Sequence, residues 1–193
     1  MRSSRTTSWQ RSKGYGNGPG AAPGGILLVL GLDPGLALTG WALVDGGGGR
    51  VTLRGAGVWS TPSTEKAGPR LLSLWESFDH LVATQHPEAV SLERLYFSRN
   101  VSTAMAVSQA RGVLVCAAAK AGLELHEYTP GEIKQAVTGS GSAPKQQVAR
   151  LVRLLLGDGV PLHPDDISDA CAVGICHQHA SGLRRALAVA ARP

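Results

Sequence analysis

The strongest constraint on the fold is a change of hydrophobic period near residue 65. Before it, three apolar, strand-like segments at 26–32, 38–44 and 51–60 are separated by turn signals. The first ends at Asp33-Pro34-Gly35 and the second at Asp45 followed by four glycines, which is typical of a tight hairpin turn. Short connections of this kind predict an antiparallel meander.

After residue 65 the apolar residues recur at helical spacing, and helices then alternate with short strands. The predicted strands are 89–95 and 124–129, and the predicted helices are 66–85, 102–121, 131–137, 143–156 and 165–179. A meander followed by helix–strand crossovers predicts an α/β protein with a mixed five-stranded sheet flanked by helices. We expect the Ala- and Val-rich helix 102–121 to be largely buried.

Composition narrows the class of protein. Apolar residues make up 43% of the 193 residues, enough for a real core, and no apolar run is long enough to predict a membrane span. The cysteines, Cys116, Cys171 and Cys176, are odd in number and form no Cys-x-x-Cys pair, which argues against a disulfide framework or a cysteine zinc site. We expect them to be small core residues in a cytoplasmic protein.

Charge divides the chain into three parts. Residues 1–25 hold four basic residues and no acid, and their Ser- and Gly-rich composition predicts a disordered basic extension. The ordered domain is predicted to span 26–180, followed by a basic tail at 181–193. Within the domain, the stretch 94–153 has eight basic residues against three acids. That excess fits a phosphate-binding face, and equally an ordinary mixture of solvated charges.

Four acids stand where an isolated acid is hard to explain. Asp33 ends an apolar strand, Glu93 lies inside one, and Asp166 and Asp169 share one face at the start of the last helix. Carboxylates gathered near a core are stable as anions if a divalent cation lies between them. Their hard oxygens suit Mg²⁺ or Mn²⁺, and two such ions can promote phosphodiester hydrolysis.

Each acid also has a purely structural interpretation. Asp33 could shape the turn that follows it, and Glu93 could pair with an arginine. Asp165 or Asp166 could cap the last helix. Spacing alone leaves both interpretations open.

Five segments resemble, in unbroken order, motifs of the RuvC Holliday-junction resolvases of the RNase H-like superfamily. They are LGLDPG at 30–35 with TG at 39–40, SLERLYFSRN at 91–100, SQARG at 108–112, KQ at 134–135 with GSGSAPK at 139–145, and DDISDA at 165–170 with HQH at 177–179. The resemblance implies metal ligation by Asp33, Glu93, Asp166 and Asp169, with Asp165 as a rival ligand.

The resemblance also implies DNA contacts. An aromatic ring at Tyr96 could stack on an unpaired base at the strand exchange point, unless it is a core tyrosine. Arg99, Asn100, Lys134 and Lys145 would contact phosphates or bases, and Lys145 would also stabilise charge at the cleaved phosphate. For each lysine, a solvated surface charge is the alternative.

The function implied is an endodeoxyribonuclease whose homodimer resolves four-way junction DNA by paired symmetric nicks in recombination and repair. It would use Mg²⁺ or Mn²⁺, two ions per site, and cooperate with the RuvA–RuvB branch-migration complex. Helix 102–121 is a candidate dimer face. Two features depart from the family pattern: the extension 1–25, and Arg94 where a neutral amide is more familiar.

Three other functions remain to be weighed. One is an RNA-processing nuclease of the same fold, and another is a non-catalytic junction-binding protein. The third is an ATPase of the actin and sugar-kinase type, which needs a second similar domain that a chain this short would lack. His177 and His179 are predicted to be helix-end residues and not a metal pair, because residues i and i+2 of a helix point to different faces.

Overall fold

The computed structural model describes residues 27–47, 50–94, 101–157 and 163–190, without the side chains of 101–103 and 185–190. Ten elements follow in chain order: β1 (Leu27–Asp33), β2 (Leu38–Gly47), β3 (Arg50–Ser60), α1 (Ala67–Gln85), β4 (Ala89–Glu93), α2 (Val101–Lys120), β5 (Glu124–Tyr128), α3 (Pro130–Thr138), α4 (Lys145–Leu156) and α5 (Asp165–Ala190). None of the described helices is long and apolar enough to cross a membrane.

The strands form one mixed sheet in the order β3-β2-β1-β4-β5. The meander β1–β2–β3 pairs antiparallel, and β4 and β5 join it in parallel on the other side of β1. This arrangement confirms the predicted mixed five-stranded sheet flanked by helices. It also places β1 at the centre, with its carboxyl end beside that of β4.

Two apolar layers cover the two faces of the sheet. The face that carries Leu30 and Leu92 packs against α1 and α2, in a core that includes Phe78 and Leu114. The other layer joins α3, α4 and α5 to the sheet. Because side chains of a strand alternate between faces, every second residue of β1 and β4 points toward α5.

Helix α5 approaches the sheet through glycines. A Cβ on Gly31 of β1 would overlap the backbone of Ala170 and Gly174 in the helix, and a Cβ on Gly174 would lie only 2.7 Å from Val44 Cγ2. Ala170, Cys171 and Gly174 are buried against the sheet. The helix therefore lies closer to β1 and β2 than larger residues would allow.

Helix α5 also continues to Ala190, beyond the predicted end near His179. No proline occurs between Pro164 and Pro193 to end the helix, and Ser181 is still buried on its inner face. The predicted tail 181–193 thus begins within the helix. His177 and His179 are consequently mid-helix residues, and the prediction that they lie at a helix end was wrong.

Helix α2 has one buried face and one exposed face, so the prediction of a largely buried helix was wrong for its outer side. Ala110, Leu114 and Ala117 are fully buried, whereas Met105 is 60% exposed and Cys116 is exposed. Cys171 and Cys176 are buried as predicted, and all three cysteines are free. Small apolar residues run around this helix, so its sequence could not indicate which face is covered.

Candidate active site

Neighbouring parallel strands bring Asp33 and Glu93 side by side. Leu32 lies opposite Leu92 in the β1–β4 register, and each acid is the next residue of its strand. Both leucines point into the core under α1 and α2. Side chains alternate along a strand, so Asp33 and Glu93 point to the opposite face, toward α5.

The first two turns of α5 bring Asp165, Asp166 and Asp169 to the same edge of the sheet. Gly40 is the ladder partner of Asp33 on β2, and a Cβ on Gly40 would overlap the carbonyl group of Asp166. The start of the helix therefore lies directly on the strand position next to Asp33. Acids in the first turn of a helix are also favoured by its dipole.

The turn after β1 is closed by another residue. The Thr39 hydroxyl donates to the Gly35 carbonyl oxygen at 2.7 Å and accepts from the Gly35 N–H at 3.3 Å. Thr39 thus makes the hydrogen bonds that hold this turn, so Asp33 is not needed to shape it.

Asp33 lies in a strongly anionic environment. Burial, followed by the negative charges of Asp169, Asp166 and Glu93, raises the pKa of Asp33 from 3.8 to about 7, and Lys145 opposes this rise. These interactions place Asp33 near acids of two elements that are distant in sequence, Glu93 of β4 and the Asp166/Asp169 pair of α5. The site thus holds more negative charge than the chain itself neutralises.

Two lysines flank the same acids. Burial and the charge of Asp169 raise the pKa of Glu93, whereas the positive charges of Lys134 and Lys145 lower it. Lys134 lies on α3, whose start is fixed by a capping box between Thr129 and Glu132. Both lysines that the sequence predicted as DNA contacts are therefore placed beside Glu93.

Lys145 is held by the aspartates of α5. Its Nζ lies 2.9 Å from Asp169 Oδ2 and 3.4 Å from Asp165 Oδ2. The hydrogen bond to Asp169, with further contributions from Asp165, raises the pKa of Lys145. Asp165 therefore faces Lys145, whereas Asp166 lies beside Gly40.

The chemistry of this cluster fits a divalent cation. Its ligands would be hard carboxylate oxygens, and a cation would offset the burial and the repulsion that together raise the pKa of Asp33. Among the described residues, however, no three His, Cys, Asp or Glu side chains are close enough to hold one ion together. The acids are therefore near enough to interact electrostatically, but in this arrangement they do not form a ligand set for one ion.

A cavity of about 280 Å³ opens beside Asp33 and Glu93. Of the residues that the structure describes, its lining also includes Pro34, Arg94, Val107, Arg111 and Pro130. The sequence indicated no role for Arg111, because its position relative to the acids depends on how α2 packs on the sheet. The predicted contacts Tyr96, Arg99 and Asn100 lie outside the described residues.

The two histidines of the last motif have separate partners. His177 is buried, its Nδ1 lies 2.8 Å from the Tyr128 hydroxyl, and its ring is 4.2 Å from that of His126. His179 instead contacts the carbonyl oxygen of Ala136 through Nδ1 at 3.0 Å. The two side chains thus tie α5 to two different elements, β5 and α3.

Comparisons of the sequence and of the fold with known proteins point to the same family. The family model described as crossover junction endodeoxyribonuclease RuvC matches residues 29–177. The RuvC protein of Heliobacterium modesticaldum is 45% identical over 154 residues, covering 79% of this chain and 94% of the relative. A structure of Thermus thermophilus RuvC in complex with Holliday junction substrate has a TM-score of 0.77 and 31% identity, covering 81% of this chain and 96% of that one.

A more distant structure, the yeast mitochondrial Holliday junction resolvase, shares the fold alone, with a TM-score of 0.61 and 14% identity over 81% of this chain and 80% of that one. The sheet order and the acids at the ends of β1 and β4 define a nuclease of the RNase H-like class. The family match over most of the chain goes further: the chain belongs to the RuvC family of crossover junction endodeoxyribonucleases. Nucleases of this family are generally metal-dependent.

Proposed function

We propose that this endonuclease resolves Holliday junctions during homologous recombination and DNA repair, with each subunit of a homodimer nicking one of two strands of like polarity. The observation that carries the proposal is the convergence of Asp33, Glu93, Asp166 and Asp169 beside two lysines. Acids that gather at a strand edge next to basic helices suit phosphodiester hydrolysis better than a structural role.

In this proposal Asp33, Glu93, Asp166 and Asp169 hold Mg²⁺ or Mn²⁺, two ions per site. The ions supply Lewis acidity and an activated water when bound. Lys145, fixed by Asp169, keeps a positive charge where negative charge develops on the cleaved phosphate.

The DNA contacts proposed for Lys134, Lys145, Tyr96, Arg99 and Asn100 serve to orient the junction. Lys134 and Lys145 are positioned to contact the phosphates of the strand being cut, because both lie beside Glu93. Tyr96 would stack on an unpaired base at the exchange point, with Arg99 and Asn100 contacting the adjacent backbone or bases.

The second subunit is proposed to pack on the outer face of α2. Met105 and Cys116 are exposed there, together with Ser108, Gln109 and Gly112, on the face of α2 that does not pack against the sheet. Two symmetric cuts require two sites, which a two-fold dimer supplies. Met105→Glu is expected to yield monomers that lose paired nicking, measured by sedimentation and by junction cleavage.

The wider setting is proposed as follows. Residues 1–25 are proposed to be a basic extension to a nuclease domain that begins at residue 26, and the basic segment 181–193 begins within α5, the last helix of that domain. The RuvA–RuvB branch-migration complex is the expected partner. A cytoplasmic location is consistent with three free cysteines.

The decisive experiment compares the parent protein with Glu93→Gln on a labelled, mobile four-way junction in Mg²⁺ or Mn²⁺. Glu76→Gln, an exposed change on α1, is the matched control. We expect paired symmetric nicks by the parent and the control, and binding without cleavage by Glu93→Gln. Binding without cleavage by the parent in either metal would indicate an architectural protein. RNA degradation without junction cleavage would indicate the RNA-processing relative.

A further inference from the structure

Two arginines share the cavity beside Asp33 and Glu93, and the cleavage reaction described above gives neither of them a role. Arg94 directly follows Glu93, and Arg111 projects from α2. The cavity, at about 280 Å³, admits a group of roughly nucleotide size and is continuous with the acidic cluster. Its occupant would therefore lie between two guanidinium groups on one side and the carboxylates of Asp33 and Glu93 on the other, next to the cleaved phosphate.

Arg111 is fixed by an ion pair that uses only part of its hydrogen-bonding capacity. Its Nη2 pairs with Glu127 Oε1 on β5, and its side chain is 21% exposed. Its Nε is buried and has no hydrogen-bond partner among the described residues. A guanidinium has five N–H donors, and the pairing with Glu127 engages only one of its nitrogens on a side chain that is already held in place.

Arg94 is fixed through its backbone. Its N–H donates to the Tyr128 carbonyl oxygen at 2.7 Å, which continues the β4–β5 pairing by one residue, while the side chain is exposed. Burial, and then the positive charge of Arg94, lowers the pKa of Arg111. Two like charges thus lie near each other at one cavity, an arrangement that an anion between them would stabilise.

We propose that Arg94 and Arg111 form a second phosphate subsite, which holds a phosphodiester of the cleaved strand adjacent to the one that is cut. Because it rests on the proposed function, the subsite deepens that site and adds no separate activity. Guanidinium forks match phosphate oxygens bidentately, and such contacts set register without reading sequence. Here they fix which phosphodiester faces Asp33 and Glu93.

The alternative is that Arg111 only ties α2 to β5 through Glu127. The two roles predict opposite behaviour for Glu127→Gln. If Arg111 is only a structural tie, removing its partner disturbs DNA binding as much as removing both. If it binds phosphate, Glu127→Gln frees the guanidinium, and junction binding is maintained or strengthened.

The test uses the full chain bound to a four-way junction in EDTA, so that affinity is measured without cleavage. The variants are Arg94→Gln, the charge-balanced pair Arg111→Gln with Glu127→Gln, and Glu127→Gln alone. Lys120→Gln, at the far end of α2 and paired with Asp79, is the control. For Arg94→Gln and for the double variant, we expect a several-fold weaker affinity and a slope of log affinity against log salt that is smaller by about 1.

A second readout locates the phosphate. Neutral methylphosphonates are placed one at a time near the cut in the cleaved strand. We expect one position, next to the cut, to weaken binding by the parent and by Lys120→Gln, to have a smaller effect on Arg94→Gln, which keeps Arg111, and to have the same smaller effect on the double variant, which keeps Arg94.

The subsite would be overturned if Arg94→Gln and the double variant kept the salt slope and the methylphosphonate profile of the parent. This holds even if the parent cuts junctions normally. Equal weakening by Glu127→Gln and the double variant would also overturn it. If the parent never cuts junctions, the proposed function fails, and the salt slopes on whatever DNA it binds still test the subsite. Arg94 is exposed, so its substitution remains informative even if the double variant does not fold.

Discussion

Gly40 leaves no space between β2 and Asp166: a Cβ at residue 40 would overlap the Asp166 carbonyl oxygen and carbon. Because Gly40 is also the ladder partner of Asp33, this one contact sets the distance between two predicted metal ligands on elements far apart in sequence. The position of α5 against β2 is thus determined by the absence of a side chain at Gly40.

Gly40→Ala is expected to push the start of α5 away from Asp33. Overpacking of this kind costs about 1–3 kcal/mol, and we expect junction cleavage to fall further than the loss of folded protein explains. Urea unfolding and cleavage rates under fully folded conditions measure the two effects. Gly182→Ala, on the same helix with open space around its Cα, should keep full cleavage and gain up to about 1 kcal/mol. Equal cleavage by the two variants would contradict the positioning role of Gly40.

Asp33 should make the metal-free protein less stable as pH rises. Its pKa is about 7 in the folded protein against 3.8 ordinarily, so between these values the folded state binds a proton that the unfolded state has released. The group's contribution to the free energy of unfolding is therefore greatest below about pH 4 and declines through pH 7, by at most about 4 kcal/mol.

Urea unfolding of the parent and Asp33→Asn in EDTA, from pH 4 to pH 8, isolates that contribution. The variant should be the more stable protein at pH 8, although it lacks a ligand and should not cut DNA. Mg²⁺ or Mn²⁺ should stabilise the parent far more than the variant at pH 8. Parallel stability curves for the two proteins in EDTA would show that Asp33 ionises normally.

Much of this site could be predicted from local sequence, because strand alternation and helix spacing are local properties. Asp33 at the end of β1, Glu93 at the end of β4 and the Asp166/Asp169 pair all lie on the elements expected for them. Their mutual approach was a hypothesis, since spacing does not say which strands are adjacent.

What the sequence could not show depends on packing between distant elements. The close approach at Gly40 and the pairing of Arg111 with Glu127 both depend on which helix covers which strand. The buried face of α2 was equally hidden, because Ala, Val and Gly surround the helix and give no clear amphipathic direction. Cys116 was assigned to the core for that reason.

Lys145→Met should lower cleavage by about 100-fold while junction binding weakens only a few-fold. The Lys145 side chain is 59% exposed, so its ion pair with Asp169 adds little to stability, and its effect is expected at the developing charge. Single-turnover cleavage at saturating protein separates this effect from binding. Arg150→Met, another exposed cation on α4, should change cleavage much less. A loss of affinity as large as the loss of rate would make Lys145 a binding residue only.

Cys116 should report on the proposed dimer face. Its thiol is exposed in the single chain, whereas burial raises the pKa of both Cys171 and Cys176 to about 12. With a chromogenic disulfide, we expect one thiol of the native protein to react quickly at low concentration and three to react in urea. If two copies pack through α2, that reaction should slow as concentration rises, and Met105→Glu should restore the fast rate. Cys116→Ser should remove the fast phase altogether. A rate independent of concentration, in a protein that sediments as a dimer, would place the dimer contact elsewhere on the surface.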